Sequence, residues 1–188
     1  MNDPRADDDL MLAYARGDAR AFEVLYERYR QPLYRYLLHA VGDRASADDL
    51  YQDVWSRIID ARERFRKSHG FKRYAFRIAH NRLVDHWRAL GRHGSSSEFD
   101  EQSLAAPTEQ QPDSASERDQ QASQLRAALM QLSTEQREAF LLQQEAGLSL
   151  TDIAEHSGVG HETVKSRLRY AVKRLRSLLS PHPEAAEP

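Results

Sequence analysis

The sequence contains no cysteine. Disulfides, thiolate metal sites and cysteine nucleophiles are therefore excluded. Long apolar runs are also missing. No stretch approaches the roughly 18 residues that span a bilayer, so no membrane insertion is expected. Residues 1–10 are acidic and have no apolar h-region, which argues against a signal peptide. A soluble, cytoplasmic chain is expected. No strand pattern, internal repeat, nucleophile–base pair or phosphate loop occurs, so no enzymatic activity of its own is expected. Histidine is present eight times, but His80 and His86 stand six apart, off a shared helix face. No clustered carboxylates complete a ligand set, so neither a metal nor another cofactor is expected.

A strong net charge is lacking as well: the total is only -2 over 188 residues. The distribution is far from even. Residues 62–93 hold ten Lys/Arg and two Asp/Glu, and residues 161–176 hold six against one. Between them, residues 94–124 hold seven acids and one Arg, and the first 61 residues carry twelve acids and eight bases. Two basic stretches set apart by acidic ones fit two DNA-contacting surfaces. Chance clustering on solvated helix faces is the plainer alternative.

The hydrophobic pattern is helical nearly throughout. Residues 7–16 form a short helix ended by Gly17. Residues 19–41 carry Phe22, Leu25, Tyr26, Tyr29, Leu33, Tyr36, Leu37 and Ala40 at three- and four-residue steps, with Pro32 inside as a candidate kink. Ser46 is the expected N-cap of a third helix bearing Leu50, Val54 and Ile58. Residues 71–90 form a fourth, with Phe71, Tyr74, Ala75, Ile78, Ala79, Leu83 and Trp87 on its apolar side. Residues 92–122 are rich in Ser, Gln, Pro and acid and poor in large apolar groups, which predicts a flexible acidic linker. The expected fold is all-α: two small helical domains, 7–91 and 123–180, joined by that linker, with a disordered tail at 181–188.

The second domain carries the sharper signal. Ser133 and Ser149 read as helix N-caps, and Asp152 completes a capping box with Ser149. Gly158 falls where a helix must end and turn through positive φ. A last helix from His161 then buries Val164, Leu168, Ala171 and Leu175. This is the form of a helix-turn-helix. Its outer face presents Glu162, Lys165, Ser166, Arg169 and Lys173 to a DNA groove, with residues 161–169 nearest the bases. A helical hairpin with a solvated basic face is the bland alternative. A helix-turn-helix alone does not separate a repressor from other DNA readers.

The resemblance to a known family rests on five segments. GVGHETVKSRLRYAVKRLR (158–176) and LSTEQREAF (132–140) resemble region 4 of extracytoplasmic-function (ECF) sigma factors, in the sigma-70 family. GDARAFEVLY (17–26) is similar to that family's opening. ADDLYQDVW (47–55) resembles its region 2.2, and RIAHN (77–81) with Asp85 and Arg88 its −10-reading part. The match departs at Tyr74-Ala75, where the family usually has Trp-Leu, and at Asp48 and Asp53, where Glu is frequent.

The resemblance implies an N-terminal region 2 helical bundle and a C-terminal region 4 helix-turn-helix. It implies a factor that binds core RNA polymerase, at the largest-subunit coiled coil and the flap, and directs initiation at promoter DNA. Asp49, Gln52 and Asp53 offer acceptors on one helical turn for polymerase, with Trp55 as a packing anchor. Arg73, Arg77, His80, Asn81 and Arg88 face the −10 element, where a flipped base is held. His161, Glu162, Thr163, Lys165, Ser166, Arg167, Arg169 and Lys173 face the −35 element. An anti-sigma factor is a further implied partner. The alternative from the residues alone is a stand-alone helix-turn-helix regulator with an N-terminal sensor or dimerisation domain.

Overall fold

The computed structural model describes residues 3–67, 70–91 and 117–180. Among these residues every regular element is helical. The helices are α1 (Asp7–Ala15), α2 (Ala19–Val41), α3 (Arg44–Asp60), α4 (Phe71–Ala89), α5 (Glu117–Met130), α6 (Thr134–Gln144), α7 (Leu150–Ser157) and α8 (His161–Leu179), with a 3-10 turn at Arg62–Arg64.

The three-and-four spacing of apolar residues sets which faces are buried. On α2 these are Leu25, Tyr29, Leu33, Tyr36, Leu37 and Ala40, and on α4 Phe71, Ala75, Ala79, Leu83 and Trp87. Phe22, Tyr26, Tyr74 and Ile78 are only half-buried at the edges. Each fully buried Leu or Phe contributes roughly 1.5–3 kcal/mol. Pro32 sits inside α2 without ending it.

Two boundaries differ from the sequence reading. The N-cap of α3 is Asp43, not Ser46: the Asp43 carboxylate accepts from the Ser46 backbone N–H at 2.8 Å. The helix thus starts about one turn earlier, at Arg44. Residues 117–122, expected in the linker, are helical in α5. Glu, Arg, Gln and Ala are good helix formers, and they extend the turn that buries Leu129 toward the N-terminus. The rest of the expected linker, 92–116, and the expected tail, 181–188, lie outside the described residues.

The helix-turn-helix is built as its local chemistry requires. Ser149 Oγ accepts from the Asp152 N–H at 3.1 Å, and Asp152 returns a bond to the Ser149 N–H at 3.2 Å. Gly158 ends α7 at φ 65°, a left-handed conformation that favours glycine. Val164, Leu168, Ala171 and Leu175 are all buried.

The two helical sets do not form separate cores; one contiguous apolar cluster joins them. Met130 of α5 lies over Gly42, where an added Cβ would sit 2.6 Å from its sulfur. Arg137 of α6 donates to the Ala40 carbonyl at the end of α2, at 2.9 Å. Arg35 and His39 of α2 meet Glu145, the residue that caps the C-terminus of α6, at 2.7 and 3.3 Å. Burial opposes the charged form of Glu145, but these two neighbours outweigh it and hold its pKa below the ordinary value.

Candidate polymerase and nucleic-acid interfaces

Helix α3 presents its carboxylates unequally. Asp49 and Gln52 are exposed, and among the described residues neither has a hydrogen-bond or ion-pair partner. Asp53 is held between Arg57 at 3.3 Å and Arg82 at 3.1 Å. Asp48, one turn before Gln52, accepts from the Tyr34 hydroxyl at 2.8 Å. Trp55 does not stand out as an anchor. It is 6% exposed and packs on Tyr26 and Phe22, with ring centroids 4.9 and 5.7 Å away. The expected anchor is therefore a floor beneath the acidic face. The apolar stripe of α3 is wider than Leu50, Val54 and Ile58, because aromatic side chains of α2 cover its flank.

Helix α4 splits its expected DNA-facing groups into two sets. Arg77, Asn81 and Arg88 are exposed. Asn81 and Arg88 border a cavity of about 840 Å³ between α3 and α4, with Arg57, Arg64 and Tyr74 also on its walls. Arg88 lies 3.7 Å from Asp85, so the pairing of these two at three-residue spacing is loose. Arg82 binds Asp85 more closely while also holding Asp53. The sequence reading missed Arg82 and Arg64. No local spacing could reveal that Arg82 joins α4 to α3.

Arg73 and His80 bond to the second set of helices, although His80 also lines the cavity that Asn81 and Arg88 border. Arg73 pairs with Asp152 at 3.0 Å and with Glu155, both on α7. His80 Nδ1 bonds Glu138 of α6, a carboxylate only 8% exposed. The Tyr36 hydroxyl stands 3.5 Å from the same carboxylate. Burial, with Glu138 alongside, pushes the Tyr36 phenol well above its usual pKa.

His156 of α7 packs on His80, with ring centroids 4.8 Å apart. Burial, reinforced by the charges of His80, Arg77 and Arg73, depresses its pKa to about 3. An imidazole neutral in the folded state titrates near 6.5 once exposed. The unfolded chain then binds more protons below that pH, so stability is full above about 6.5 and falls as pH drops toward 3. Between pH 6.5 and 5 the loss from this group should reach about 1–2 kcal/mol. Chemical denaturation across that window should show the decline in the wild type and a flatter profile in His156→Leu.

On α8, His161, Glu162, Thr163, Lys165, Arg169 and Lys173 are exposed, while Ser166 and Arg167 are half-buried. Glu162 bonds Lys165 at 2.8 Å, and that bond lowers the pKa of Glu162. An open groove of about 700 Å³ runs along the helix flank. Lys165, Arg169, Lys173 and Arg176 edge it, and Leu168 and Val172 lie between them. No helix among the described residues is long and apolar enough to cross a membrane.

Residues 25–93 match the family model for Sigma-70 region 2, and residues 122–175 match that for Sigma-70, region 4. The chain is 30% identical over 182 residues to the RNA polymerase sigma-H factor of Pseudomonas aeruginosa, covering 93% of this chain and 94% of that protein. It is 31% identical over 175 residues to the ECF RNA polymerase sigma factor SigM of Mycobacterium tuberculosis, covering 93% and 85%. Among solved structures, RpoE in complex with the anti-sigma factor NepR from Bartonella quintana is 28% identical. It superposes with a TM-score of 0.65 over 84% of this chain and 96% of that one. CnrH in complex with the cytosolic domain of CnrY shares the fold, at 24% identity and a TM-score of 0.68 over 93% and 97%.

Proposed function

The chain belongs to the sigma-70 family as an ECF-type RNA polymerase sigma factor directing transcription initiation, and from that premise we propose how its surfaces divide the work. Family membership removes the stand-alone regulator as a reading. Asp49, Gln52 and Asp53 dock on the largest-subunit coiled coil of core RNA polymerase, with Trp55 holding α3 rigid from below. The second domain meets the flap.

Arg77, Asn81 and Arg88 take the melted −10 strand, and a base of that strand enters the cavity between α3 and α4. Arg73 and His80 join them once the second domain has withdrawn from α4. His161, Glu162, Thr163, Lys165, Arg169 and Lys173 meet the −35 duplex, with Ser166 and Arg167 at the edge of that face. An anti-sigma factor is a partner of the closed form, as the neighbouring complex with NepR suggests by analogy.

The observation that carries this reading is the position of Asn81. It is exposed, offers both a donor and an acceptor, and borders a cavity large enough for a nucleotide. Extruding a base costs a few kcal/mol, which such a pocket must offset. Asn81→Ala should therefore flatten −10 base preference in a randomised promoter library while core binding persists. An unchanged −10 preference would remove the role.

The −35 face is graded. Lys165→Ala or Arg169→Ala should each cost about 1–3 kcal/mol in duplex binding and relax −35 specificity. A uniform loss across sequences with a smaller salt slope would mark them as phosphate contacts instead.

A further inference from the structure

A second cavity, of about 310 Å³, lies where the two domains meet. Its walls come from both. Arg64, Arg66, Arg73, Tyr74 and Arg77 belong to the first domain, and His156 belongs to the second, with Asp152 and Glu155 beside it. Four guanidinium groups thus face two carboxylates. Both carboxylates are already bound to Arg73. Among the described residues, Arg64, Arg66 and Arg77 have no carboxylate partner. These three side chains are exposed, and Arg66 donates only to the Glu63 and Phe65 carbonyls, so the rim of the cavity carries positive charge that no carboxylate offsets.

Two neutral groups beside these arginines also lack partners. The Tyr74 hydroxyl and His156 Nε2 are both buried without a hydrogen-bond partner, and both residues line this cavity. Buried polar atoms are satisfied in the great majority of cases, so two orphans on one cavity call for an occupant. The guanidinium groups without carboxylate partners set its character: anionic, rich in acceptor oxygens and small. The volume stands at the lower end of small-molecule sites.

We propose that this cavity is a binding site for a small phosphate-bearing anion, held jointly by the two domains. Guanidinium forks suit phosphate oxygens, and Tyr74 adds a donor. An anion there favours the imidazolium form of His156, in which Nε2 also donates. Because donors come from both domains, the bound anion stabilises their packed arrangement over the separated one. It thereby keeps Arg73 and His80 engaged with α6 and α7. This goes beyond the promoter-reading roles and does not depend on them.

Phosphate groups reach such a cavity either on a free small molecule or on the backbone of a DNA strand. The test separates the two. Isothermal titration of the full chain with inorganic pyrophosphate, at constant ionic strength, should give saturable binding at one site. Arg64→Gln and His156→Leu should each weaken it at least ten-fold, and the conservative Tyr74→Phe several-fold. Pyrophosphate should also raise the thermal midpoint of the wild type and not that of His156→Leu. Circular dichroism checks that each variant folds.

Two results would overturn the proposal. One is the absence of saturable binding. The other is a loss in Arg64→Gln with none in His156→Leu or Tyr74→Phe, together with displacement by a single-stranded −10 oligonucleotide. That pattern would assign the arginines to the DNA backbone alone. The −10 library experiment, run without pyrophosphate, is unaffected by either result.

Discussion

Converting Asp49 and Gln52 together to Ala should abolish association with core RNA polymerase and leave the free chain folded. The expectation follows from their surroundings. Both are exposed on one turn of α3, and neither is bound within the described residues. Removing them should change stability by no more than about 0.5 kcal/mol, as for most surface sites. Truncating an acceptor whose partner charge is desolvated at an interface costs roughly 2–5 kcal/mol. Two such losses reduce affinity by about a thousand-fold or more. Asp53 is a poorer choice for this variant, because its replacement would also release Arg57 and Arg82. Fluorescence anisotropy with labelled protein reads the result, and near-wild-type affinity would remove α3 as the docking element.

The second large effect is expected at His80→Ala. Glu138 is 8% exposed, and its partners are His80 and the fully buried Tyr36. Without His80 the carboxylate keeps one long bond and no opposing group. Leaving a buried charge unpaired costs about 3–5 kcal/mol. For a chain of this length that lowers the unfolding midpoint by about 6–20 °C. The double variant His80→Leu with Glu138→Leu should recover most of the loss, because apolar replacement of both partners is often close to neutral. Scanning calorimetry of the three proteins distinguishes this from simple loss of packing. Equal midpoints for wild type and His80→Ala would show that the pair does not hold the domains together.

What the sequence made legible was what local chemistry determines. The Ser149–Asp152 capping box, the left-handed Gly158 and the buried Val164, Leu168, Ala171 and Leu175 each follow from residues three or four positions apart or from a single glycine. The same holds for the apolar stripes of α2 and α4. Errors arose where two local solutions are equivalent or where a distant helix intervenes. Asp43 and Ser46 are both good N-caps, and position relative to Gly42 decided between them. That α2 covers Trp55 with Phe22 and Tyr26 lies beyond what the spacing within α3 shows.

The contact between the domains was not legible at all. Arg35 and Glu145 are 110 residues apart, and Tyr36 and Glu138 are 102 apart. The sequence reading gave two domains and a linker without their relative placement, and one apolar cluster runs through both. That packing changes the reading of the −10 face. Arg73 and His80 were grouped with Arg77, Asn81 and Arg88 by the family resemblance. In the folded chain the first two are engaged by α6 and α7, and the other three are exposed. If Arg73 and His80 are to meet the −10 strand as proposed, they must first leave these partners on α6 and α7.

The central claim is that two DNA-reading surfaces act through polymerase rather than alone. Purified chain added to core RNA polymerase should yield a holoenzyme that initiates at a promoter carrying both −35 and −10 elements. Asp49→Ala with Gln52→Ala should give no transcript from the same template. No initiation with the wild-type chain, or equal transcript from the double variant, would contradict the account.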